Sequence, residues 1–304
     1  MELQLQFVQN VKHCFNELGK KWLDELPNII KYCEEKWSLQ IQKPYTLSIN
    51  YAAPAKLLNG KEVVVKLCLP GDEFLGELEA LQLLQKRGIV RLIDADTERG
   101  VMVLEKITPG HALADMNEDE DACLIAARVF RTLITRVPTI TKISTTKDRE
   151  KKLREIFSEH RNGIGPITKD TLEKALKLFH YLNKTTKESW LLHGDFHPYN
   201  ILLCKDGSWK AIDPKGLIGE AEYDLIQYLL NKLPEEGAYD VMRKRVDIFT
   251  HELQLDKKRL LLWGYCHAVL ATSWTVDGDN YSRSFYQGIM IFEKLYEESF
   301  GIKK

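Results

Sequence analysis

The sequence lacks several features that would place the protein in a specialised class. No apolar run approaches the roughly twenty residues of a membrane-spanning helix. The first residues contain no basic segment followed by a long apolar core, so they do not form a secretory signal. The six cysteines include no Cys-x-x-Cys pair, which predicts reduced and mostly buried thiols rather than a disulfide framework. We therefore expect a cytoplasmic protein.

Charge of one sign is also missing. Lysine and arginine total 43 and aspartate and glutamate total 44, so no overall field draws the protein to nucleic acid or to a membrane. Internal repeats, low-complexity tracts and disordered linkers are not found either. With 304 residues, 44% of them hydrophobic, the chain can form two lobes or domains around large cores. These features leave the choice between monomer and dimer open.

The stretch Leu191–Asp224 carries polar side chains on both sides of a predicted hairpin. Two short apolar runs, Ile201–Cys204 and Trp209–Ile212, flank an Asp-Gly pair, which supplies the positive φ angles of a tight turn. The polar residues before and after the runs are His193, Asp195, Asn200 and Asp213. Because a hairpin folds its two ends together, a carboxylate, a carboxamide and a second carboxylate are predicted to converge in one cleft.

This set of oxygen-bearing side chains suggests phosphoryl-transfer chemistry. Carboxylate and amide oxygens are hard ligands that suit Mg²⁺. Asp195 and Asn200 have the spacing D-x-x-x-x-N of the kinase catalytic loop, in which the Asp acts on the substrate hydroxyl and the Asn holds a metal. Taken singly, each residue would be an ordinary turn or cap residue.

A second chemistry uses the histidines of the same stretch. His193, Asp195 and His197 alternate, so a strand would place them on one face, where they could hold a transition metal for a hydrolase. Gly194 and Pro198 favour a loop instead of a strand. The remaining histidines are scattered singly, so the metal-dependent hydrolase is a remote alternative.

A lysine within a β-branched run predicts a buried ion pair. Lys66 lies in Glu62–Leu69, flanked by valine and leucine, and a buried ammonium needs a partner. The alternative is an exposed lysine on an edge strand. The following helix, Asp72–Lys86, offers Glu77 and Glu79 as partners, and these two side chains face different directions.

The rest of the chain predicts an antiparallel sheet followed by helices. Residues 1–36 favour two helices separated near Leu18-Gly19 or at Pro27. Tyr45–Tyr51 and Glu62–Leu69 predict two strands joined by a loop at 52–61. Residues 117–188 are largely helical in pattern, and the apolar helix Arg259–Trp274 precedes a polar turn at 275–280.

The motifs H-G-D-F-H-P-Y-N and I-D-P-K-G resemble the aminoglycoside phosphotransferase family of kinase-like enzymes, in its streptomycin 6-kinase and hydroxyurea-kinase branch. The resemblance covers nearly the whole chain after Tyr45. It implies an α+β, two-lobed protein-kinase-like fold with an antiparallel N-lobe and a mainly helical C-lobe. The implied domains are a helical extension at 1–44, a nucleotide-binding lobe at 45–108 and a catalytic, acceptor-binding lobe at 109–304.

The resemblance also implies an activity. An ATP-dependent phosphotransferase would move the γ-phosphate of ATP, with Mg²⁺, to a hydroxyl of a cationic aminoglycoside-type substrate in antibiotic resistance. Hydroxyurea, a fructosamine, choline or ethanolamine are alternative acceptors, GTP is an alternative donor, and a binding module without transfer is a further alternative. The family's E-x-x-A-L pattern favours Glu77 over Glu79 as the partner of Lys66.

Residue roles follow from the resemblance position by position. Asp195 is implied as the catalytic base, Asn200 and Asp213 as magnesium ligands, and His193 and Asp224 as supports of the loop. The implied nucleotide-binding residues are Lys66, Glu77, Glu105, Ile107 and Lys215, and the implied acceptor-binding residues are His197, Trp274, Asp277 and Asp279. The loop 52–61 contains one glycine where kinases carry a Gly-rich loop, so the residues that cover the phosphates stay unassigned.

Overall fold

Two units divide the chain in the computed structural model, which describes residues 3–301. The first unit ends at Gly110 and also includes Leu203–Ser208; the second comprises His111–Leu202 and the chain from Trp209 onward. Within residues 3–301, no helix has the length and apolar character needed to cross a membrane. The assignment of 1–44, 45–108 and 109–304 to separate domains stays a prediction.

The first unit is an antiparallel sheet with two helices. Its elements are α1 (Leu5–Lys36), β1 (Leu39–Ile41), β2 (Tyr51–Leu57), β3 (Glu62–Leu67), α2 (Asp72–Leu83), β4 (Leu92–Asp96) and β5 (Val101–Glu105). The strand order is β1-β2-β3-β5-β4, and every neighbouring pair is antiparallel. One hydrophobic cluster joins α1 to the sheet through Phe7, Trp22 and Leu26 on the helix and Val63 and Val65 on β3. Strand β6 (Pro109–Ala112) follows at the division between the units.

The predicted position of the first strand of the hairpin is wrong, because the strand lies one segment later in the chain. Tyr45–Tyr51 is not a strand; β2 begins at Tyr51 and runs through Pro54, and the turn falls at 58–61. Pro54 is paired with Val64, and its carbonyl oxygen accepts a hydrogen bond from the Gln42 N–H at 2.8 Å. In an antiparallel strand the nitrogen and oxygen of one residue point to the same neighbour, so the missing N–H of Pro54 faces the short β1 and costs β3 no bond.

The predicted break in the first helical region is also displaced. Residues 5–36 form one helix interrupted at Asn16, whose φ is 49° and ψ is −128°, and Pro27 lies inside the helix. Asparagine tolerates positive φ better than most residues. Gly19 instead allows close packing, because a Cβ there would lie 2.6 Å from the Val11 carbonyl oxygen.

The second unit is mainly helical. Its helices are α3 (Asp119–Leu133), α4 (Thr146–Glu159), α5 (Lys169–Thr185), α6 (Ala221–Asp224), α7 (Ile226–Leu230), α8 (Ala238–Leu253), α9 (Lys257–Trp274) and α10 (Arg283–Phe300). The short strands in this part of the chain are β7 (Thr135–Arg136), β8 (Gly163–Ile164), β9 (Ile167–Thr168), β10 (Trp190–Leu192), β11 (Ile201–Cys204), β12 (Trp209–Ala211) and β13 (Leu217–Gly219). The second half of β11, from Leu203, is assigned to the first unit. Helix α9 is buried on nearly all sides, as its apolar sequence predicted, and it packs on α5 and α10. The α+β fold class is confirmed.

Candidate active site

The predicted hairpin is present and joins two loops by backbone hydrogen bonds. The Ile212 N–H donates to the Asn200 carbonyl oxygen at 2.9 Å, directly before Asp213. The N–H groups of Lys215 and Gly216 donate to the His193 carbonyl oxygen at 2.8 and 2.9 Å. These bonds hold the loop that carries Asp195 and Asn200 beside the loop that carries Asp213.

A buried carboxylate fixes the start of the loop that carries Asp195 and Asn200, called the catalytic loop below. The Asp224 carboxylate accepts hydrogen bonds from the backbone N–H groups of His193, at 2.8 Å, and Gly194, at 2.7 Å. Gly194 has a φ of +82°, and a Cβ at this position would lie within about 3 Å of the Gly216 backbone. The sequence left two roles open for Asp224, loop support or helix capping; its contacts are with the loop.

Two ring side chains anchor the same loop from inside. Phe196 is buried and packs against Phe130 at 5.2 Å and Tyr228 at 6.2 Å between ring centroids. The His193 ring is also buried; its Nε2 bonds the Ile212 carbonyl oxygen at 2.9 Å, and its Nδ1 accepts from the Asp195 N–H at 3.3 Å. Both ring nitrogens of His193 are therefore used in holding the loop.

We expect Asp224→Asn to destabilise the protein by about 2 kcal/mol and to lower turnover. An amide has one oxygen and an NH₂ group in place of two oxygens, so one of the two loop N–H groups loses its acceptor and faces another donor. Urea unfolding and turnover measure the two effects. Asp256→Asn is the matched control, because Asp256 accepts one backbone N–H at the start of α9 and an asparagine caps equally well. Equal effects of the two substitutions would contradict this role for Asp224.

The Asp195 side chain is partly exposed and paired with a histidine. Its Oδ2 lies 3.7 Å from Nε2 of His197. Burial acts to raise the pKa of the Asp195 carboxyl, but the close contact with His197 and the positive charge of Lys215 outweigh it. The pKa therefore lies below its ordinary value, and Asp195 is a carboxylate at neutral pH.

Asn200 and Asp213 fit the magnesium ion that a kinase-like site implies. Asn200 Nδ2 donates to the Asp195 carbonyl oxygen at 3.1 Å, which orients the amide and leaves Oδ1 for a ligand. Asp213 adopts a φ of +59° and supplies a carboxylate, whose oxygens lie 3.2 and 3.3 Å from Lys215 Nζ. An amide oxygen and a carboxylate are the donors that Mg²⁺ takes together with water and phosphate. The place of Lys215 at the phosphates stays a prediction, since its contact here is with Asp213.

The transition-metal alternative finds no geometric support. Among residues 3–301, no three His, Cys, Asp or Glu side chains are arranged to hold a metal ion. His193, one of the three proposed ligands, uses both ring nitrogens in hydrogen bonds to the loop. The segment is also a loop and a 3₁₀ turn (Pro198–Asn200), not the strand that would align the three side chains.

The buried titratable groups predict that acid weakens the fold. Burial lowers the pKa of His193 to about 4 and of His267 to about 3, so the unfolded chain binds protons at these residues before the native protein does. Burial has the opposite effect on Asp224, raising its pKa to about 7, so here the native protein binds the extra proton. Two histidines against one carboxyl leave the unfolded state with about one more proton near pH 5.5.

We therefore expect the free energy of unfolding to fall by about 1 kcal/mol between about pH 6 and about pH 5. Urea denaturation at the two pH values measures it. In His267→Gln one of the two histidine contributions is removed, so the same pH change should leave stability nearly constant. A wild-type stability that rises with acid over this interval would contradict the assignment.

In the first unit, Lys66 and Glu77 form a buried ion pair. Lys66 Nζ and Glu77 Oε1 are 2.5 Å apart, and both side chains are less than a tenth exposed. Lys66 lies on β3, which has β2 on one side and β5 on the other, so the edge-strand alternative is wrong. Glu77 lies on the buried face of α2, whereas Glu79 is half-buried. The partner is the one that the family's E-x-x-A-L pattern favoured.

The remaining predicted residues lie in less constrained places. Glu105 ends β5 and its Oε1 accepts the Arg91 N–H at 2.8 Å, and Ile107 lies half-buried in the segment before β6. Asp277 and Asp279 lie on an exposed turn, where the Asp277 and Asn280 backbones bond each other. Their binding roles stay predictions.

Sequence reasoning missed two residues beside Trp274. The Trp274 ring is 46% exposed, lies 5.4 Å from the Arg149 guanidinium carbon and contacts the His267 ring edge-on at 6.3 Å. Arg149 lies in the densely charged segment 147–154 of a predicted helix, and His267 is a single histidine in the apolar helix Arg259–Trp274. The sequence pattern around each residue does not indicate that Arg149 and His267 both contact Trp274.

A family model described as aminoglycoside/hydroxyurea antibiotic resistance kinase matches residues 43–278. The chain belongs to this family. The streptomycin 6-kinase of Streptomyces glaucescens is 24% identical over 300 residues, covering 91% of this chain and 92% of that protein. The hydroxyurea phosphotransferase of Kitasatospora aureofaciens is 26% identical over 265 residues, covering 85% of this chain and 76% of that protein.

A solved structure extends the similarity to the fold. The thermostable mutant of the aminoglycoside phosphotransferase APH(4)-Ia, in ternary complex with ADP and hygromycin B, matches with a TM-score of 0.64 at 14% identity. The match covers 90% of this chain and 99% of that chain. The predicted two-lobed kinase-like fold and the streptomycin 6-kinase and hydroxyurea-kinase branch are confirmed. As a kinase of this family, the chain is an ATP-dependent phosphotransferase with an alcohol group as acceptor.

Proposed function

We propose that this antibiotic resistance kinase transfers the γ-phosphoryl group of ATP to a hydroxyl of an aminoglycoside-type molecule. The observation that supports this most is the hydrogen-bonded pair of loops that holds Asp195 beside Asn200 and Asp213. The 24% identity to a streptomycin 6-kinase over nine-tenths of the chain supports the acceptor class.

Asp195 acts on the acceptor. Its carboxylate, ionised at neutral pH, accepts a hydrogen bond from the acceptor hydroxyl and orients the oxygen toward the γ-phosphorus. The new bond forms between that oxygen and phosphorus as the bond from phosphorus to the ADP oxygen breaks, and the hydroxyl proton passes to Asp195. Such a transition state needs positioning and charge neutralisation more than covalent help from the protein.

The other residues bind the nucleotide. Lys66, braced by Glu77, neutralises the inner phosphates, and the backbone around Glu105 and Ile107 pairs with the base edge. Asn200 and Asp213 would hold magnesium, which when bound offsets the charge of the outer phosphates. His193 and Asp224 position the loop and do not react.

We expect Asp213→Ala to weaken magnesium-dependent nucleotide binding by at least about tenfold, because a magnesium ligand is lost. Titration of ATP analogue binding against Mg²⁺ measures the effect. Asp206→Ala, on the exposed turn of the same hairpin, is the control. A Mg²⁺ titration identical to that of the wild type would remove Asp213 from the metal site.

Hydroxyurea is the second candidate acceptor. The hydroxyurea phosphotransferase of Kitasatospora aureofaciens is 26% identical to this chain, against 24% for the streptomycin 6-kinase, and the family description names both aminoglycosides and hydroxyurea. An ADP-release screen against streptomycin, other aminoglycosides, hydroxyurea, a fructosamine, choline and ethanolamine separates the candidates. We expect release with an aminoglycoside and none with Asp195→Asn. Release with hydroxyurea alone would assign the second candidate, and release with none would refute the proposed function.

A further inference from the structure

Three buried side-chain nitrogens in the second unit have no hydrogen-bond partner within residues 3–301: Arg149 Nε, His197 Nδ1 and His267 Nε2. Buried polar atoms are nearly always paired, and each exception calls for an explanation. Structural side chains of this unit show the normal pattern; Arg245, for example, is buried and bonds Asp119 and three backbone carbonyls. Unsatisfied atoms that gather in one region therefore indicate a ligand.

The three nitrogens lie around the catalytic loop. His197 contacts Asp195, with Nε2 of His197 3.7 Å from Oδ2 of Asp195. His267 Nδ1 bonds the Tyr223 hydroxyl at 2.8 Å, and Tyr223 directly precedes Asp224, which holds the loop N–H groups.

Arg149 reaches the same region from α4. Its guanidinium lies on the Trp274 ring, and Trp274 contacts His267. The charges of both Arg149 and Asp195 act on the pKa of His267, in opposite directions.

Two of the free nitrogens are hydrogen-bond donors. The buried Tyr223 hydroxyl lies 2.8 Å from His267 Nδ1, and by donating to Nδ1 it pairs its own proton, which would otherwise be buried without an acceptor. A phenol that donates to Nδ1 leaves the imidazole proton of neutral His267 on Nε2. Arg149 Nε always carries a proton and belongs to a full positive charge. Both atoms therefore seek an acceptor.

We propose that Arg149 and His267 form an oxygen-binding subsite that recognises an uncharged or anionic oxygen, such as a carbonyl or carboxylate, next to the hydroxyl phosphorylated at Asp195. An ammonium or guanidinium group is repelled there, because Arg149 already places its own cation on the face of Trp274. The subsite rests on the proposed function only for the role of Asp195. It makes Arg149 and His267 specificity residues, and it restricts cationic groups of the acceptor to other parts of the site.

Two small hydroxyl compounds test the subsite by binding, without turnover. Acetohydroxamic acid has a carbonyl oxygen beside its hydroxyl, and ethanolamine has an ammonium group there. We expect saturation-transfer NMR to show that the wild-type protein binds acetohydroxamic acid more tightly than it binds ethanolamine. Arg149→Met should weaken that binding about tenfold, and it should leave ethanolamine binding unchanged or tighter. Arg149→Lys keeps the charge and loses the Nε donor, so its affinity for acetohydroxamic acid should lie between those of the wild type and Arg149→Met.

The control is Lys151→Met, which removes a cation from the same helix at a side chain that is 75% exposed; both probes should bind it as they bind the wild type. Failure of acetohydroxamic acid to bind, preference for ethanolamine, or equal weakening of both probes by Arg149→Met would overturn the subsite. If Arg149→Met leaves ADP release unchanged with every acceptor that is phosphorylated, the subsite is refuted and the proposed phosphotransferase function still stands. Arg149-dependent binding without ADP release from any acceptor would support the subsite and refute the transferase.

Discussion

We expect Asp195→Asn to lower kcat by roughly three orders of magnitude while the fold and ATP binding stay nearly unchanged. The substitution keeps the shape of the side chain and removes the charge that orients the acceptor hydroxyl and accepts its proton. The Asp195 side chain is partly exposed and lies 3.7 Å from Nε2 of His197, so we expect the native fold to tolerate the loss of its charge. ADP release at saturating acceptor measures kcat, and nucleotide titration measures binding.

The control for Asp195 is Asp170→Asn, which removes an exposed carboxylate at the start of α5 in the same unit. Its kcat should equal that of the wild type within about twofold, as for an ordinary surface substitution. A kcat for Asp195→Asn within about tenfold of the wild-type value would remove Asp195 from the role of base. Loss of folding in this variant would instead assign Asp195 to the structure of the loop.

Lys66→Met should have the second largest effect, because it acts on both stability and nucleotide binding. Removing one partner of a buried ion pair leaves the other charge uncompensated, which costs about 3 kcal/mol. Glu77, on the buried face of α2, would be that charge. We expect a lower midpoint in urea unfolding and an ATP affinity lower by at least about tenfold.

A double variant separates the two effects. Lys66→Met with Glu77→Leu replaces the whole pair by apolar side chains, so most of the lost stability should return. ATP affinity should stay low, since the cation that meets the phosphates is still missing. Recovery of ATP affinity together with stability would show that Lys66 serves only the fold. Glu79→Leu, on the same helix, is the control for removal of an acidic residue.

Local sequence was sufficient for the hairpin and for the residues it joins. The Asp-Gly turn between two apolar runs determines which strands pair. This pairing places the Asn200 carbonyl oxygen in a hydrogen bond with the N–H of Ile212, the residue before Asp213. A lysine among valines on a strand needs a partner, so local sequence also predicted an ion pair between Lys66 and the next helix; the choice of Glu77 over Glu79 came from the family's E-x-x-A-L pattern. The activity class and the branch came from motifs within these segments.

Long-range packing determined the rest. The strand at Tyr51–Leu57 exists because β1 and β3 flank it, which overrides the local preference of Pro54 for a turn. The contacts of Asp224 with the loop at His193 and of Arg149 with Trp274 join residues far apart in the chain. Neither hydrophobic period nor turn composition contains information about such pairs, because both describe neighbours along the chain. The residues of the proposed reaction therefore lie in short segments of the sequence, whereas the acceptor subsite that we propose consists of side chains that only folding brings together.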